Sequence, residues 1–116
     1  MPRQFSKLSH SLYECKYHIV FCRKYRYKIL DKVVSDYAKQ QIYRLCNQKD
    51  GVEVLELNVQ IDHVHLVATI PPKYAVSGFM GYLKGKLALG LFDRFPQLRK
   101  GYWGQHVWSR GYSWFR

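Results

Sequence analysis

Three segments of this 116-residue chain alternate between apolar and polar residues, and this alternation restricts the possible folds more than any other feature. In residues 11–22 one side of an extended chain is apolar, formed by Tyr13, Cys15, Tyr17, Ile19 and Phe21. Residues 52–61 repeat the pattern with Leu55, Leu57, Val59 and Ile61, and residues 63–70 with Val64, Leu66, Ala68 and Ile70. A period of two over these lengths predicts strands that each bury one face.

Two further segments place apolar residues at helical spacing. The first follows Asp31, a suitable N-cap residue, and we expect Gly51 to lie just past its end. Its apolar stripe consists of Val34, Tyr37, Ala38, Ile42 and Leu45. The second helix is predicted from Val76, Phe79, Met80, Leu83 and Leu87, and it continues or breaks near Gly85 and Gly90 until Pro96 ends it. Residues 106–113 are predicted to form a last strand, rich in aromatic side chains.

The order of these elements is strand, helix, strand, strand, helix, strand. It predicts an α+β fold of the ferredoxin-like, split β-α-β type, in which a four-stranded antiparallel sheet carries two helices on one face. The first and third strands are then neighbours at the centre of the sheet. Because the chain is short and contains no repeat or linker, we expect a single domain over residues 1–116.

The charge of the chain indicates the class of its partner. Lysine and arginine number 19 against 8 acidic residues, which gives a formal net charge of +11 and favours a nucleic acid over an anionic membrane surface. No apolar run approaches the roughly 20 residues that span a bilayer, and the polar N-terminus does not resemble a signal peptide. The three cysteines are expected to be free thiols in a reducing cytoplasm.

The polar faces of the first three strands form a candidate working surface on the side away from the helices. Within it, His63 and His65 are two residues apart on one strand, so both imidazoles project to the same side. Two neutral imidazoles on a rigid strand are a good start for a divalent metal site, which a third ligand or a substrate phosphate would have to complete. Strand parity leaves three candidates for a third protein ligand, namely Glu56, Glu14 and His18.

Two groups of basic residues are candidates for contacts with nucleic acid. The first interleaves with Tyr25 and Tyr27 and consists of Arg23, Lys24, Arg26 and Lys28. Basic side chains contact phosphates and aromatic rings stack on bases, which suits single strands and hairpins. The second group, Lys84 and Lys86, lies beside glycines that allow a backbone to approach the second helix closely. A solvated connector and a solvated helix face are the alternative interpretations of the two groups.

Residues 62–66 (DHVHL) resemble the histidine–hydrophobe–histidine (HUH) motif of the single-strand-specific tyrosine transposases of the smallest bacterial insertion sequences. The likeness continues over nearly the whole chain, in the same order and spacing. Residues 15–21 resemble the first strand of that family, residues 70–73 and 76–86 resemble the helix after the motif, and residues 108–112 resemble the last strand.

This resemblance implies a dimeric endonuclease and strand transferase that recognises single-stranded DNA hairpins at the ends of a mobile element. In such proteins a tyrosine attacks a backbone phosphate and stays attached to the 5′ end, while Mg²⁺ or Mn²⁺ on the histidine pair polarises the phosphate. It also implies work on nucleoid DNA in the cytoplasm of a bacterial or archaeal cell, with no role for a membrane.

The chain departs from the family at its C-terminus. The family's nucleophilic tyrosine lies on a helix after the last strand, and this sequence stops at Arg116, where that strand should end. None of the ten tyrosines matches the nucleophile, and Tyr112 is expected to pack or stack within the strand. We therefore expect a domain truncated relative to the family, without the catalytic helix, that binds DNA but does not cleave it alone.

Three functions are consistent with these observations. The chain could be a transposase subunit whose catalytic helix is absent from the sequence, a catalytically inactive DNA-binding derivative that acts as a regulator or dominant-negative partner, or a ferredoxin-like RNA-binding module.

The C-terminal segment is rich in large aromatic residues, namely Trp103, Trp108, Trp114 and Phe115. They predict an exposed apolar patch, and such patches favour self-association. We therefore expect a homodimer built partly on the last strand.

Overall fold

The computed structural model describes residues 15–22, 32–60, 63–101 and 113–115, and it gives only the backbone for residues 99–101 and 113–115. In chain order the elements are β1 (Lys16–Cys22), α1 (Lys32–Asn47), β2 (Glu53–Val59), β3 (His63–Thr69), α2 (Val76–Arg94), a 3₁₀ helix (Pro96–Gly101) and β4 (Ser113–Phe115). This arrangement confirms the α+β class with two helices and an antiparallel sheet. Neither helix within the described ranges is long and apolar enough to cross a membrane.

The strands lie in the order β2-β3-β1-β4, and every neighbouring pair is antiparallel. The predicted pairing of the first and third strands at the centre is confirmed, with a register that runs from Lys16 opposite Thr69 to Cys22 opposite His63. The last strand begins at Ser113, where the prediction had it end, and residues 106–112 lie outside the described part of the chain. The first strand begins at Lys16, and residues 11–14 of its predicted range are likewise outside.

Both helices pack against the same face of the sheet, because one hydrophobic cluster contains residues from all of these elements. On the sheet side its fully buried members include Ile19, Val64, Leu66 and Ala68, which lie on the predicted apolar faces of β1 and β3. The predicted stripe of α1 is buried except for Tyr37, which is half-buried. The helix α2 contributes Phe79, Met80, Leu83, Leu87, Leu91 and Phe92.

A β-bulge in β2 overturns part of the prediction for that strand. Val54 pairs with Ala68 and Glu56 with Val67, so Leu55 is an extra residue without a partner of its own. Val54 therefore lies on the core side before the bulge, and Leu57 lies there after it. Leu55, which simple alternation assigned to the core, is 48% exposed. The bulge resets the phase of the strand, and hydrophobicity alone does not reveal where such a reset occurs.

The role of Gly51 also differs from its prediction as the residue that ends the first helix. The helix ends at Asn47, and Gly51 lies in the turn that follows, where the Val52 amide donates a hydrogen bond of 3.1 Å to the Lys49 carbonyl oxygen. Gly51 has a φ of 86°, which suits the third position of a type II turn. It also lies so close to Pro71 that an added Cβ would be 2.6 Å from Cγ of that proline.

The second helix runs unbroken through its glycines and ends at Arg94, directly before Phe95 and Pro96. Tyr82 connects this helix to the C-terminal end of α1. Its hydroxyl lies 2.8 Å from the Leu45 carbonyl oxygen and 3.1 Å from the Gln48 side-chain oxygen, so its one hydrogen is directed at these two acceptors. Because this hydroxyl is partly buried, the pKa of Tyr82 is raised. The contact fixes one end of the helix pair under the sheet.

Candidate metal and nucleic-acid site

The predicted metal ligands His63 and His65 lie at the N-terminal end of the central strand β3, and both are half-buried. They face away from the helices because the alternating residues Val64 and Leu66 are fully buried in the core. The strand is held at its start by a backbone hydrogen bond of 2.8 Å from the Gln60 amide to the His63 carbonyl oxygen, which closes the connection between β2 and β3. The fold thus places both imidazoles on one side of a rigid element.

The register of the sheet defines the neighbours of the pair. His65 lies opposite Val20 on β1 and Asn58 on β2, and His63 lies opposite Cys22. The prediction of site residues omitted Asn58 and Cys22. The alternation pattern showed that Asn58 belongs to the polar face, but no sequence signal specified which histidine it accompanies. The Asn58 side-chain oxygen accepts a hydrogen bond of 2.7 Å from the side-chain amide of Gln60, so these two polar side chains support each other beside His65.

The predicted third ligands have different positions relative to the pair. His18 is diagonal to His65 on β1, and the centroids of the two rings are 6.1 Å apart with 29° between their planes. Glu56 is exposed on β2 in a similar diagonal position, opposite Val67. Glu14 lies outside the described residues. Within the described ranges, no three histidine, cysteine or acidic side chains are grouped closely enough to hold a metal ion.

The sheet face that carries the histidines is not polar throughout. Val67 and Thr69 point to the same side as His65, yet they are only 2% and 5% exposed. The Thr69 hydroxyl oxygen is buried and has no hydrogen-bond partner among the residues that the structure describes. Around these two residues the same face carries the exposed side chains of Lys16, Glu53 and Glu56. The predicted working surface therefore has a buried floor and a polar rim.

The predicted DNA-binding residues Lys84 and Lys86 lie on α2, in the helix layer, and so on the other side of the sheet from the two imidazoles. Lys86 is exposed, whereas partial burial of Lys84 lowers the pKa of its ammonium group. Cys22 is close enough to oppose this decrease in pKa, and its register partner is His63. Lys84 thus approaches the same end of the sheet as the histidine pair. The other predicted group, Arg23, Lys24, Arg26 and Lys28, lies outside the described residues.

Three glycines of α2 have no packing role that the structure shows. A Cβ added at Gly78, Gly81 or Gly85 would meet no atom within 4 Å. Each glycine inside a helix costs roughly 0.5–1 kcal/mol relative to alanine because of its backbone entropy. The surface beside Lys84 and Lys86 is therefore low and open, and a bulky ligand can approach the helix backbone there.

A groove of about 420 Å³ lies between α1 and β2, and it contains none of the predicted site residues. Its lining consists of Tyr43, Cys46, Asn47, Val52, Glu53 and Val54. Burial raises the pKa of the Cys46 thiol to about 12, so this sulfur stays protonated and is a poor nucleophile at neutral pH. The groove offers no chemistry that competes with the histidine pair.

Residues 11–116 match the protein family described as "Transposase IS200 like". The chain belongs to the IS200-like transposase family. It is 42% identical over 105 residues to the transposase for insertion sequence element IS200 of Salmonella typhimurium, an alignment that covers 90% of this chain and 68% of that protein. It is 35% identical over 112 residues to the ISDra2 transposase TnpA of Deinococcus radiodurans, which covers 97% of this chain and 79% of that one.

Solved structures agree with this assignment. A crystal structure of a candidate transposase from Deinococcus radiodurans R1 is similar with a TM-score of 0.80 and 32% identity, over 87% of this chain and 77% of that chain. A REP-associated tyrosine transposase bound to a REP hairpin shares the fold, with a TM-score of 0.62 and 13% identity over 86% and 54% of the two chains. The resemblance inferred from the HUH segment is confirmed, and DNA transposition is the process in which the IS200-like family acts.

Proposed function

We propose that this chain binds single-stranded DNA hairpins at the ends of a mobile element and serves their transposition with a divalent metal on His63 and His65. The observation that carries the proposal is the histidine pair itself, which projects from a central strand of an IS200-like transposase on the face away from the helices. Metal dependence is general in this family, and one transposase of the same fold is bound to a hairpin. The work on DNA takes place in the cytoplasm of a bacterial or archaeal cell.

His63 and His65 supply two ligands of a metal site, and further ligands must come from elsewhere. Two imidazole nitrogens favour a first-row transition ion over Mg²⁺, which takes oxygen ligands, so Mn²⁺ is the better candidate of the two predicted ions. Water, phosphate oxygens or one of the predicted third ligands, Glu56, Glu14 or His18, complete the coordination. When bound, the ion would polarise the scissile phosphate as a Lewis acid.

The covalent step is proposed from the family, and its tyrosine is expected to be none of the ten tyrosines of this chain. The tyrosine hydroxyl oxygen forms a bond to the scissile phosphorus, and the bond between this phosphorus and the 3′ oxygen breaks. The 5′ end of one DNA fragment is then attached to the protein as a phosphotyrosine, and the other fragment ends in a 3′-OH. The histidine pair contributes to this step by holding the phosphate in a fixed position relative to a rigid sheet. Fixed positioning of reactants is itself a large part of catalysis, because it removes the entropy cost of bringing them together.

The DNA strand is proposed to follow the side of the domain where Lys84 approaches the end of β1. The phosphate backbone contacts Lys84 and Lys86, and the bare surface at Gly81 and Gly85 lets it come close to the helix. The basic residues that follow β1 in the sequence are proposed as further phosphate contacts, namely Arg23, Lys24, Arg26 and Lys28. An overall charge of +11 supports this assignment.

Replacing both Lys84 and Lys86 with alanine is expected to weaken hairpin binding by about 10-fold or more at low salt, because each lysine neutralises a phosphate. The dependence of binding on salt concentration should also become shallower, by about one unit of logarithmic slope per lysine. Fluorescence anisotropy with a labelled hairpin between low and moderate salt measures both effects. The control is Lys39→Ala, which removes an exposed lysine from α1.

The same titration separates DNA transposition from RNA binding. Hairpin DNA should bind more tightly than duplex DNA or an RNA of the same sequence. A preference for RNA that is insensitive to both His63→Ala and the lysine substitutions would contradict the proposal and favour an RNA-binding module. The family match and the relatives named above give no support to that alternative.

We further propose that the chain forms a homodimer built partly on its last strand, as the aromatic C-terminal sequence predicts. Sedimentation velocity at micromolar protein is expected to show a species of twice the 13.9 kDa chain mass. The concentration should be varied about tenfold so that weak association shows as a shift in the sedimentation coefficient. A monomer throughout that range would overturn the dimer proposal.

A further inference from the structure

We propose that His18 is a positioning residue, whose ring lies beside that of His65 and holds this imidazole in the orientation in which it binds a divalent metal. The inference rests on the proposed metal site, and it names the residue that fixes the orientation of the His65 imidazole. The observation behind it is the stacked arrangement of the two rings, with their centroids 6.1 Å apart and their planes inclined by 29°.

The sheet geometry accounts for this arrangement. His18 lies directly opposite Val67 on β3, so His65 is its diagonal neighbour two residues away on the same face. Diagonal neighbours across antiparallel strands are within reach of each other when the side chains are aromatic. Both residues are on the two central strands of the sheet, where the backbone is fixed by hydrogen bonds on each side. The spacing of the rings is therefore a property of the sheet and not of a loose side chain.

The apolar surroundings of His18 limit the positions its ring can take. Val67, its direct partner, is only 2% exposed, and the imidazole of His18 is itself half-buried. The contact with the second ring further restricts the rotation of the His65 imidazole. An imidazole that is held in one orientation loses less rotamer entropy when it binds an ion, so the ion binds more tightly.

A chemical difference separates this role from direct ligation. A ligand must offer a ring nitrogen to the ion, whereas a neighbour that orders the His65 imidazole needs only a flat ring. A residue with a flat ring and no ligand nitrogen at position 18 therefore distinguishes the two roles.

The first experiment measures Mn²⁺ binding by electron paramagnetic resonance, with Mn²⁺ alone as the probe. His18→Ala is expected to weaken binding by about 10-fold, the lower end of what supporting residues contribute to metal sites. His18→Phe, which keeps a flat ring but has no ligand nitrogen, should restore affinity to within about 3-fold of the parent chain. Equal loss in both variants would overturn the proposal and make His18 a direct ligand, and no loss in His18→Ala would overturn it as well.

The second experiment uses the metal-free protein, so that it does not depend on the metal site. In a carbon–proton NMR spectrum, the ring signals of His65 should shift or broaden in His18→Ala and stay close to their original positions in His18→Phe. Lys16→Ala, a substitution of an exposed residue on the same strand and face, is the matched control and should leave these signals unchanged. Unchanged His65 signals in His18→Ala would overturn the positioning role.

The two proposals can fail separately in these experiments. If His65→Ala leaves Mn²⁺ binding unchanged, the proposed metal function fails. The claim that His18 orders the His65 ring is then tested by the spectra of the metal-free protein alone. Urea unfolding of each variant shows whether the fold survives, and His18→Phe retains a ring at the centre of the sheet should His18→Ala prove unstable.

Discussion

Gly51→Ala is expected to lower the free energy of unfolding by at least about 2 kcal/mol. The residue has a φ of 86°, a left-handed conformation that costs a residue with a Cβ of the order of 1–2 kcal/mol. The added Cβ would also lie 2.6 Å from Cγ of Pro71, so the turn after α1 or the segment after β3 must shift. Urea denaturation followed by circular dichroism measures the change, because this fold has enough helix for a clear signal.

Gly81→Ala is the matched control for this measurement, because it adds the same methyl group to a helix position where nothing lies within 4 Å. It should raise the free energy of unfolding by roughly 0.5–1 kcal/mol through the loss of backbone entropy in the unfolded chain. The two substitutions are thus expected to have opposite signs. Similar effects of both would contradict the assignment of Gly51 as a residue that the turn requires.

His63→Ala and His65→Ala are each expected to weaken Mn²⁺ binding by about 100-fold or more, and the fold should remain intact. Each substitution removes one of two imidazoles from the proposed site, and direct ligands matter at least as much as the supporting residues that typically contribute 10- to 100-fold. Both side chains are only half-buried and face away from the helices, so their loss opens no cavity in the core. Isothermal titration with Mn²⁺ measures the affinity, and unfolding curves report on the fold.

Two control variants make this result specific. Lys16→Ala removes an exposed side chain from the same sheet face and should leave Mn²⁺ affinity within about 2-fold. Val64→Ala removes buried volume from between the two histidines and should destabilise the fold by about 1–3 kcal/mol, because it leaves a cavity. Unchanged Mn²⁺ affinity in either histidine variant would refute the two-histidine metal site.

The central strands could be predicted from the sequence because their core faces demand apolar residues at every second position. In β3 the fully buried apolar residues are Val64, Leu66 and Ala68. A shift of the strand by one residue would expose all three side chains, so only one register buries them. The side on which His63 and His65 project follows from the same constraint. Strand parity is therefore sufficient to predict that the two imidazoles share one face of the sheet.

The edge strand and the turns were less predictable, for two physical reasons. Leu55 fits the apolar pattern, but a bulge costs little in a strand that pairs on one side only, as β2 does among the described strands, so tertiary contacts decide its position. The left-handed conformation of Gly51 is available to any glycine, and only the proximity of Pro71 makes it necessary. In the same way, the neighbours of the histidine pair, Cys22 and Asn58, depend on the register between strands that are distant in sequence.

The bulge at Leu55 has a consequence for the behaviour of the protein at high concentration. Among the described strands β2 is an outer one, and the unpaired backbone of an outer strand is a template for another chain. An irregular backbone flanked by the exposed carboxylates of Glu53 and Glu56 is a poor template, because it misaligns the hydrogen-bond ladder and repels a second copy of itself. We therefore expect the bulge to oppose edge-to-edge aggregation at β2, and we expect any extension of the sheet between copies to occur at the opposite edge, beside β4.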